Sequence, residues 1–324
     1  GPSTTPAISR VLVTRRLPAG GLDPLVDAGH ELVERDHDIP FTHDDLVAAV
    51  AEVDAIVCLL TDRIDAEVLA AGAPRLRVVA NVAVGYDNVD IEAAEEHGVA
   101  VCNTPGVLDE TTADLAFLLI LAAARRASEA EADLRAGRWP GWGINQYLGR
   151  DVHGAILGLV GFGRVGQAVA RRAAGFGMQV LHHTRHDTGL PGWTAELDTL
   201  LREADVVSIH VPLRDETTHL IDARRLALMK PDAVLVNTAR GPVVDEQALA
   251  VALEDGRLFA AGLDVFEREP EVHPRLLAAP RTLLLPHIGS ASLATRTRMA
   301  RTASEGARAV LAGTVPPNLV TKPR

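Results

Sequence analysis

Cysteine is nearly absent: Cys58 and Cys102 are the only two in 324 residues. Both stand inside apolar, strand-like segments, so a disulfide framework is excluded and two buried reduced thiols are expected. Long apolar runs are also missing, since the run at 113–124 falls short of the roughly 18 residues of a membrane span. An excess of basic charge is lacking too. The net charge of −11 argues against a nucleic-acid or anionic-membrane surface. Twelve histidines occur, but none at zinc-ligand spacing, and the adjacent His182 and His183 would face opposite sides of a strand. No metal site is therefore expected. With no solenoid-type repeat, low-complexity linker or signal-like leader in view, the expectation is a cytoplasmic enzyme of about two domains.

What is present is most concentrated in residues 157–185, LGLVGFGRVGQAVARRAAGFGMQVLHHTR. An apolar strand runs into a turn with glycines at 161, 163 and 166, then into a helix and a second strand. Gly161 allows the tight turn, Gly163 lets the backbone approach a pyrophosphate, and Gly166 lets the helix pack closely. Ala168, Val169, Ala173 and Ala174 give the helix an apolar face at the correct period. The bland alternative is a Gly-rich turn in an ordinary α/β domain.

The end of the second strand discriminates between dinucleotides. An NAD site places an Asp or Glu there, about 20 residues after the first glycine, to accept bonds from the ribose hydroxyls. This chain has Thr184 and Arg185 instead. A guanidinium forms a charge-assisted bond to a 2′-phosphate and a hydroxyl can add another, so NADPH is predicted over NADH. The alternative for Arg185 is a surface arginine that touches nothing, and Asp187 reads as a solvated loop charge.

Along the chain, strand-like runs at 11–14, 31–33, 55–60, 78–82 and 100–103 alternate with amphipathic segments such as 44–51 and 90–96. The pattern predicts a parallel sheet covered by helices. Asp109 is read as an N-cap for a long apolar helix through 115–126. Strands follow at 206–211, 234–237, 260–265 and 282–285. A helix-like segment at 292–311 is too short for a domain of its own and is expected to return to the first unit. The fold class is therefore α/β with two doubly wound parallel-sheet domains. A Rossmann cofactor domain, 105–289, is inserted into a flavodoxin-like substrate domain made of 1–104 and 290–324.

Three ionisable residues follow strands of the nucleotide half, where open α/β sheets bind ligands. Arg240 follows AVLVNTA, Glu269 follows GLDVFER, and His287 follows TLLLP. Reducing a 2-oxo acid by hydride transfer needs a cation for the carboxylate, a proton donor for the developing alkoxide, and fixed geometry. Arginine suits the first task by its planar fork. Histidine suits the second, and a neighbouring carboxylate keeps the imidazolium available near neutral pH. Glu269 would be that carboxylate. Taken singly, each residue could be a surface ion pair, a helix-entry carboxylate or a loop histidine.

The motifs GFGRVG, NTARGPVVDEQAL, GLDVFEREP and LLPHIGSAS, in that order, resemble the D-isomer-specific 2-hydroxyacid dehydrogenases, and the resemblance runs through nearly the whole chain. It implies Arg240 as substrate arginine, Glu269 as the residue orienting the histidine, His287 as acid/base, and a homodimer. CLLTDRID, NVAVGYDNVD, DETTADLAFLLILAAARR and the pair Trp139 and Trp142 bring the likeness closest to glyoxylate and hydroxypyruvate reductases. Cofactor contacts implied by resemblance are Thr112, Val211, Pro212, Thr217, Thr238, Ala239, Asp264 and Gly289. Arg164 and Val165 would join the glycine turn as side-chain and backbone contacts. The Val84 and Gly85 N–H groups would hold the substrate carboxylate opposite Arg240, although an ordinary strand-to-helix turn reads equally well from sequence. Leu60 would line a pocket for a small unphosphorylated acid, or be core alone. Trp142 resembles a residue that reaches the partner subunit's site and limits substrate size; a packed corner of an arm is the other reading. The alternatives at the level of function are a reductase of larger 2-oxo acids and a non-catalytic, dinucleotide-sensing corepressor-like scaffold.

Overall fold

The computed structural model describes residues 7–35 and 37–323. The chain forms two compact units, Gly1–Leu108 with Ser290–Arg324, and Asp109–Gly289. The first begins β1 (Arg10–Val13), α1 (Asp23–Asp27), β2 (Glu31–Glu34), α2 (His43–Val50) and β3 (Ala55–Cys58). It continues with α3 (Ala66–Gly72), β4 (Val78–Asn81), α4 (Ile91–Glu96) and β5 (Ala100–Cys102). These strands are all parallel, in the flavodoxin-like order β2-β1-β3-β4-β5. Every residue of β3 and β4 is buried, which is why both read as unbroken apolar runs rather than alternating ones. Thr42, Asp65 and Asp90 cap α2, α3 and α4 by accepting an N–H three residues on.

The second unit opens with α5 (Asp109–Ala124) and α6 (Ala127–Arg135). Its sheet and covering helices follow as β6 (Ile156–Val160), α7 (Arg164–Ala174), β7 (Gln179–His183), α8 (Leu197–Glu203), β8 (Val206–Ile209) and α9 (Ala223–Leu228). The remainder is β9 (Val234–Asn237), α10 (Glu246–Glu254), β10 (Ala260–Leu263), α11 (Pro274–Ala278) and β11 (Thr282–Leu284). The parallel order is β11-β10-β9-β8-β6-β7, and a single bridge from His182 to Trp193 lies beyond β7. α5 and α7 cover one face of the sheet and α8 to α10 the other. Strand order reverses between β6 and β8, which opens a crevice at their C-terminal ends.

The chain then returns to the first unit as α12 (Leu293–Leu311), capped by Ser292. Met299, Ala300, Ala303 and Ala307 of this helix close over Val11, Val57, Val78 and Ala80. Cys58 and Cys102 are buried and unpaired. Burial pushes both thiols up, that of Cys102 to about 12.

Two local expectations need correction. Asp109 is not an N-cap but the first helical residue of α5, where its charge faces the positive end of the helix. The apolar helix stops at Ala124 instead of running to 126, because Arg126 takes a left-handed conformation (φ 57) and starts α6. Arg126 is held there by a two-pronged bond to Glu129, at 2.7 and 3.1 Å. No residue of α6 is buried, and its apolar residues are only Ala127, Ala130, Ala132 and Leu134, too small a face to signal a helix. Residues 125–149 form an arm pinched at its base. Arg150 N–H donates to Ala124 O at 2.8 Å, and a Cβ on Gly149 would stand 2.2 Å from that oxygen.

Candidate active site

β6 ends at Val160 and the chain turns at Gly161 (φ +94), whose N–H donates to His183 O at 3.0 Å. A Cβ there would lie 2.3 Å from His210 O, so the turn requires glycine. A Cβ on Gly166 would come within 2.8 Å of Gly161 O, whereas beside Gly163 there is open space. No side chain caps α7 at Gly163, and the N–H groups of Phe162 and Gly163 have no acceptor among the described residues. Free N–H groups at a helix N-terminus, with room in front of them, fit a pyrophosphate. Arg164, which is exposed, and Val165 are the first residues of that helix.

At the end of β7 the two residues expected to read the ribose differ in their freedom. The Thr184 hydroxyl donates to His186 O at 2.6 Å and accepts from Trp193 Nε1 at 3.2 Å, so its hydrogen is committed within the loop. Arg185 is exposed and has no hydrogen bond or ion pair among the described residues. Asp187 is exposed and accepts Gly189 N–H at 2.8 Å. Val211 and Pro212 follow β8, and Thr217 closes their loop by donating to Pro212 O at 2.7 Å. Sequence reasoning passed over His210, whose Nε2 meets Ser208 Oγ at 2.8 Å. Burial lowers its imidazole to about 4.

Beyond β9, Asn237 shapes the turn that carries the candidate arginine. Its Oδ1 accepts Ala239 N–H at 2.9 Å and its Nδ2 donates to Arg240 O at 3.0 Å. Thr238 Oγ1 is buried with no partner among the described residues. Past β10, both oxygens of Asp264 accept from the chain after His287, Ile288 N–H at 2.7 Å and Gly289 N–H at 2.8 Å. Burial raises the Asp264 carboxyl, and those bonds and the His287 charge offset it only in part. A Cβ on Gly289 would lie 3.2 Å from Asp264 Oδ2 and 3.7 Å from Thr112 Oγ1, so three of the residues expected to touch a cofactor converge.

His287 Nδ1 meets Glu269 Oε2 at 2.7 Å, and Glu269 Oε1 accepts Phe266 N–H at 3.1 Å. Burial pushes the Glu269 carboxyl up. The bond and charge of His287, the Phe266 N–H and the charge of Arg240 outweigh it and hold the group below 4.5. With Nδ1 engaged by a carboxylate, the ring presents Nε2 as its working nitrogen. The second unit thus brings Arg240, Glu269 and His287 into one electrostatic group.

The first unit carries the remaining candidates. Leu60 is exposed just past β3. The carbonyls of Val84 and Gly85 accept from Asn103 and Asn81, while their N–H groups have no acceptor among the described residues. His43, Asp65 and Glu67 form a small charged cluster within 4.8 Å. His43 and Arg63 share Asp65 Oδ2 there, at 2.9 and 3.0 Å. On the arm of the second unit, Trp142 is 81% and Ile144 74% exposed.

Residues 117–289 match the family model of the D-isomer specific 2-hydroxyacid dehydrogenase, NAD binding domain. The chain belongs to the D-isomer specific 2-hydroxyacid dehydrogenases. A glyoxylate reductase of Thermococcus onnurineus is 47% identical to this dehydrogenase over 323 residues, 97% of this chain and 96% of that one. A solved protein of Thermus thermophilus is 48% identical with a TM-score of 0.91, covering 96% of this chain and 100% of its own. An NADPH-dependent glyoxylate/hydroxypyruvate reductase of Sinorhizobium meliloti, solved with NADP and malonate, is 33% identical with a TM-score of 0.85. It covers 98% of this chain and 99% of its own. This dehydrogenase is an oxidoreductase built from two parallel α/β units, the second of which binds the dinucleotide.

Proposed function

We propose that this dehydrogenase reduces a small 2-oxo acid, glyoxylate to glycolate or hydroxypyruvate to D-glycerate, with NADPH preferred over NADH. The observation that carries the reading is the 2.7 Å contact of Glu269 with His287 Nδ1, beside an arginine whose charge reaches the same carboxylate. A reduced nicotinamide seated from the Gly161–Gly166 turn supplies the hydride. Arg240 holds the substrate carboxylate through its fork of donors. Within the first unit, the Val84 and Gly85 N–H groups, which have no acceptor among the described residues, suit a carboxylate, and the exposed Leu60 suits the apolar tail of a small acid. His287, protonated, donates from Nε2 to the carbonyl oxygen as negative charge develops on it. Glu269 stays ionised throughout, fixes the ring and stabilises the imidazolium. Once the proton has left Nε2, Nδ1–H still donates to Glu269, so the ring keeps its orientation for reprotonation.

Arg185, exposed and uncommitted, supports the NADPH preference, because no carboxylate stands at that place to repel a 2′-phosphate. The Sinorhizobium relative, solved with NADP, supports it as well. The cofactor contacts assigned to Thr112, Arg164, Val165, Val211, Pro212, Thr217, Thr238, Ala239, Asp264 and Gly289 belong to this reading. The arm exposes Trp139, Trp142, Ile144 and Leu148, an apolar surface of the kind that associates. That surface supports a homodimer, in which Trp142 would limit substrate size in the partner's site. Light scattering at micromolar concentration tests the dimer, and a monomer would contradict it. Buried reduced thiols fit a cytoplasmic location.

The test is a matrix of NADPH or NADH against glyoxylate, hydroxypyruvate, pyruvate and a bulky aromatic 2-oxo acid, followed at 340 nm. Fast NADPH oxidation with the two small acids supports the proposal. No oxidation with any pair overturns it and favours a dinucleotide-sensing scaffold.

A further inference from the structure

Glu246 is the first residue of α10 and only 5% exposed. Its carboxylate is not needed to start that helix, since Asp245 already caps it by accepting Ala248 N–H at 3.0 Å. It turns instead toward a distant loop. One oxygen accepts Glu267 N–H in a short bond, and the other accepts His273 N–H at 3.3 Å. In return, Glu246 N–H donates to Glu267 Oε1 at 3.0 Å, an oxygen that His219 Nε2 also meets at 2.9 Å. Two bonds therefore run in opposite directions between residues 246 and 267, and a third reaches 273. Between those anchors the chain closes on itself through Glu271 N–H to Arg268 O at 2.9 Å, with Glu269 in the turn.

The seam continues toward the arginine. A Cβ on Gly241 would lie 1.9 Å from Phe266 C and 2.5 Å from Glu267 N. The turn that follows Arg240 thus rests directly on the backbone that leads to Glu269. We propose that Glu246 is a positioning residue of the reaction, which clamps the loop carrying Glu269 in register with the turn carrying Arg240. This inference rests on the functional reading above. Two neighbouring carboxylates, Glu246 and Glu267, are unfavourable together unless donors surround them, and here three backbone N–H groups and His219 do so. Removing the Glu246 carboxylate strips two acceptors from the backbone at either end of the exposed turn that carries Glu269, while Asp264 keeps its hold on the chain after His287 and the glycine turn is untouched.

Glu246→Gln in the 324-residue chain tests the proposal, because the amide retains one acceptor oxygen and sets an NH2 group against the other N–H. A displacement of about 1 Å at a reacting group can cost about 100-fold in rate. We expect kcat for glyoxylate to fall by about 10- to 100-fold, with KM and NADPH affinity near parental. The primary deuterium isotope effect on kcat should rise as hydride transfer becomes slower. Hydrogen exchange should accelerate in the peptide spanning 265–274 and remain slow in α10. Should Glu246→Gln fail to fold, Glu267→Gln, which weakens the return bond and the His219 contact but leaves both acceptors of Glu246 in place, should show the same pattern in smaller measure. Parental kcat and isotope effect, or a loss of rate matched by lost folded fraction or lost NADPH affinity, would overturn the proposal. If the parent itself reduces no small 2-oxo acid, the functional reading fails separately. The clamp is then decided by exchange alone, where unchanged rates at 265–274 refute it.

Discussion

His287 holds a left-handed backbone, φ 55, and such a conformation costs a non-glycine residue about 1–3 kcal/mol. It persists because its surroundings over-determine it. Asp264 takes the next two N–H groups, and Glu269 takes the ring. The energy is spent on aiming Nε2. Accordingly, His287→Ala should lower kcat by about 10²- to 10⁴-fold with little change in NADPH affinity, measured by steady-state kinetics and fluorescence titration. Near-parental turnover would remove the histidine from its role. Arg185→Ala should weaken NADPH by about 10- to 100-fold, the worth of one charge-assisted interaction, and leave NADH unchanged. Equal effects on both cofactors would show that the guanidinium does not meet the 2′-phosphate. At this scale the grouping of Arg240, Glu269 and His287 was legible because each follows an apolar strand. The commitment of the Thr184 hydroxyl was not legible, since it depends on a loop that doubles back to place Trp193 beside it. The pairing of Glu246 with Glu267 was equally hidden, because nothing local marks a contact made across a helix, a strand and the turns between them.

Elements are tied to one another by a few charged groups as well as by their apolar faces. Asp198 in α8 accepts from Arg224 at 2.9 and 3.2 Å and from Arg225 at 3.0 Å, both in α9. The two guanidiniums hold its carboxyl down at about 2. A carboxyl depressed by folding stabilises above its ordinary value of 3.8 and loses that contribution as pH falls toward 2. Asp198→Asn should therefore melt lower than the parent at neutral pH, and the gap in Tm should close between about pH 4 and pH 2. A gap that stays constant across that range would show the pair to be inert. The buried strands were readable from sequence to within a residue or two, because strands covered on both faces must be apolar throughout. α6 was unreadable for the opposite reason: every residue is at least partly exposed, and three alanines and Leu134 make too small an apolar face to announce it.

At the scale of the whole molecule, stability in mild acid depends on histidines that burial lowers, His30, His182 and His210. The His210 imidazole is lowered to about 4 by burial, against 6.5 in the unfolded chain. Below pH 6.5 the unfolded chain binds a proton that the folded one refuses, so stability should decline from about pH 6.5 down to about pH 4. Urea unfolding of the parent and of His210→Gln across that interval would show the parent falling more steeply. Parallel curves would assign the acid sensitivity elsewhere. The order in which α12 joins the first sheet has another consequence. Val11, Val57, Val78 and Ala80 are made before the inserted unit, yet Met299, Ala300, Ala303 and Ala307, which cover them, are made after it. On the ribosome, the inserted unit is complete while the unit that begins the chain still has one apolar face bare. The nascent protein therefore finishes its middle before its beginning. A chaperone that shields that face during elongation would meet it throughout synthesis of the inserted unit.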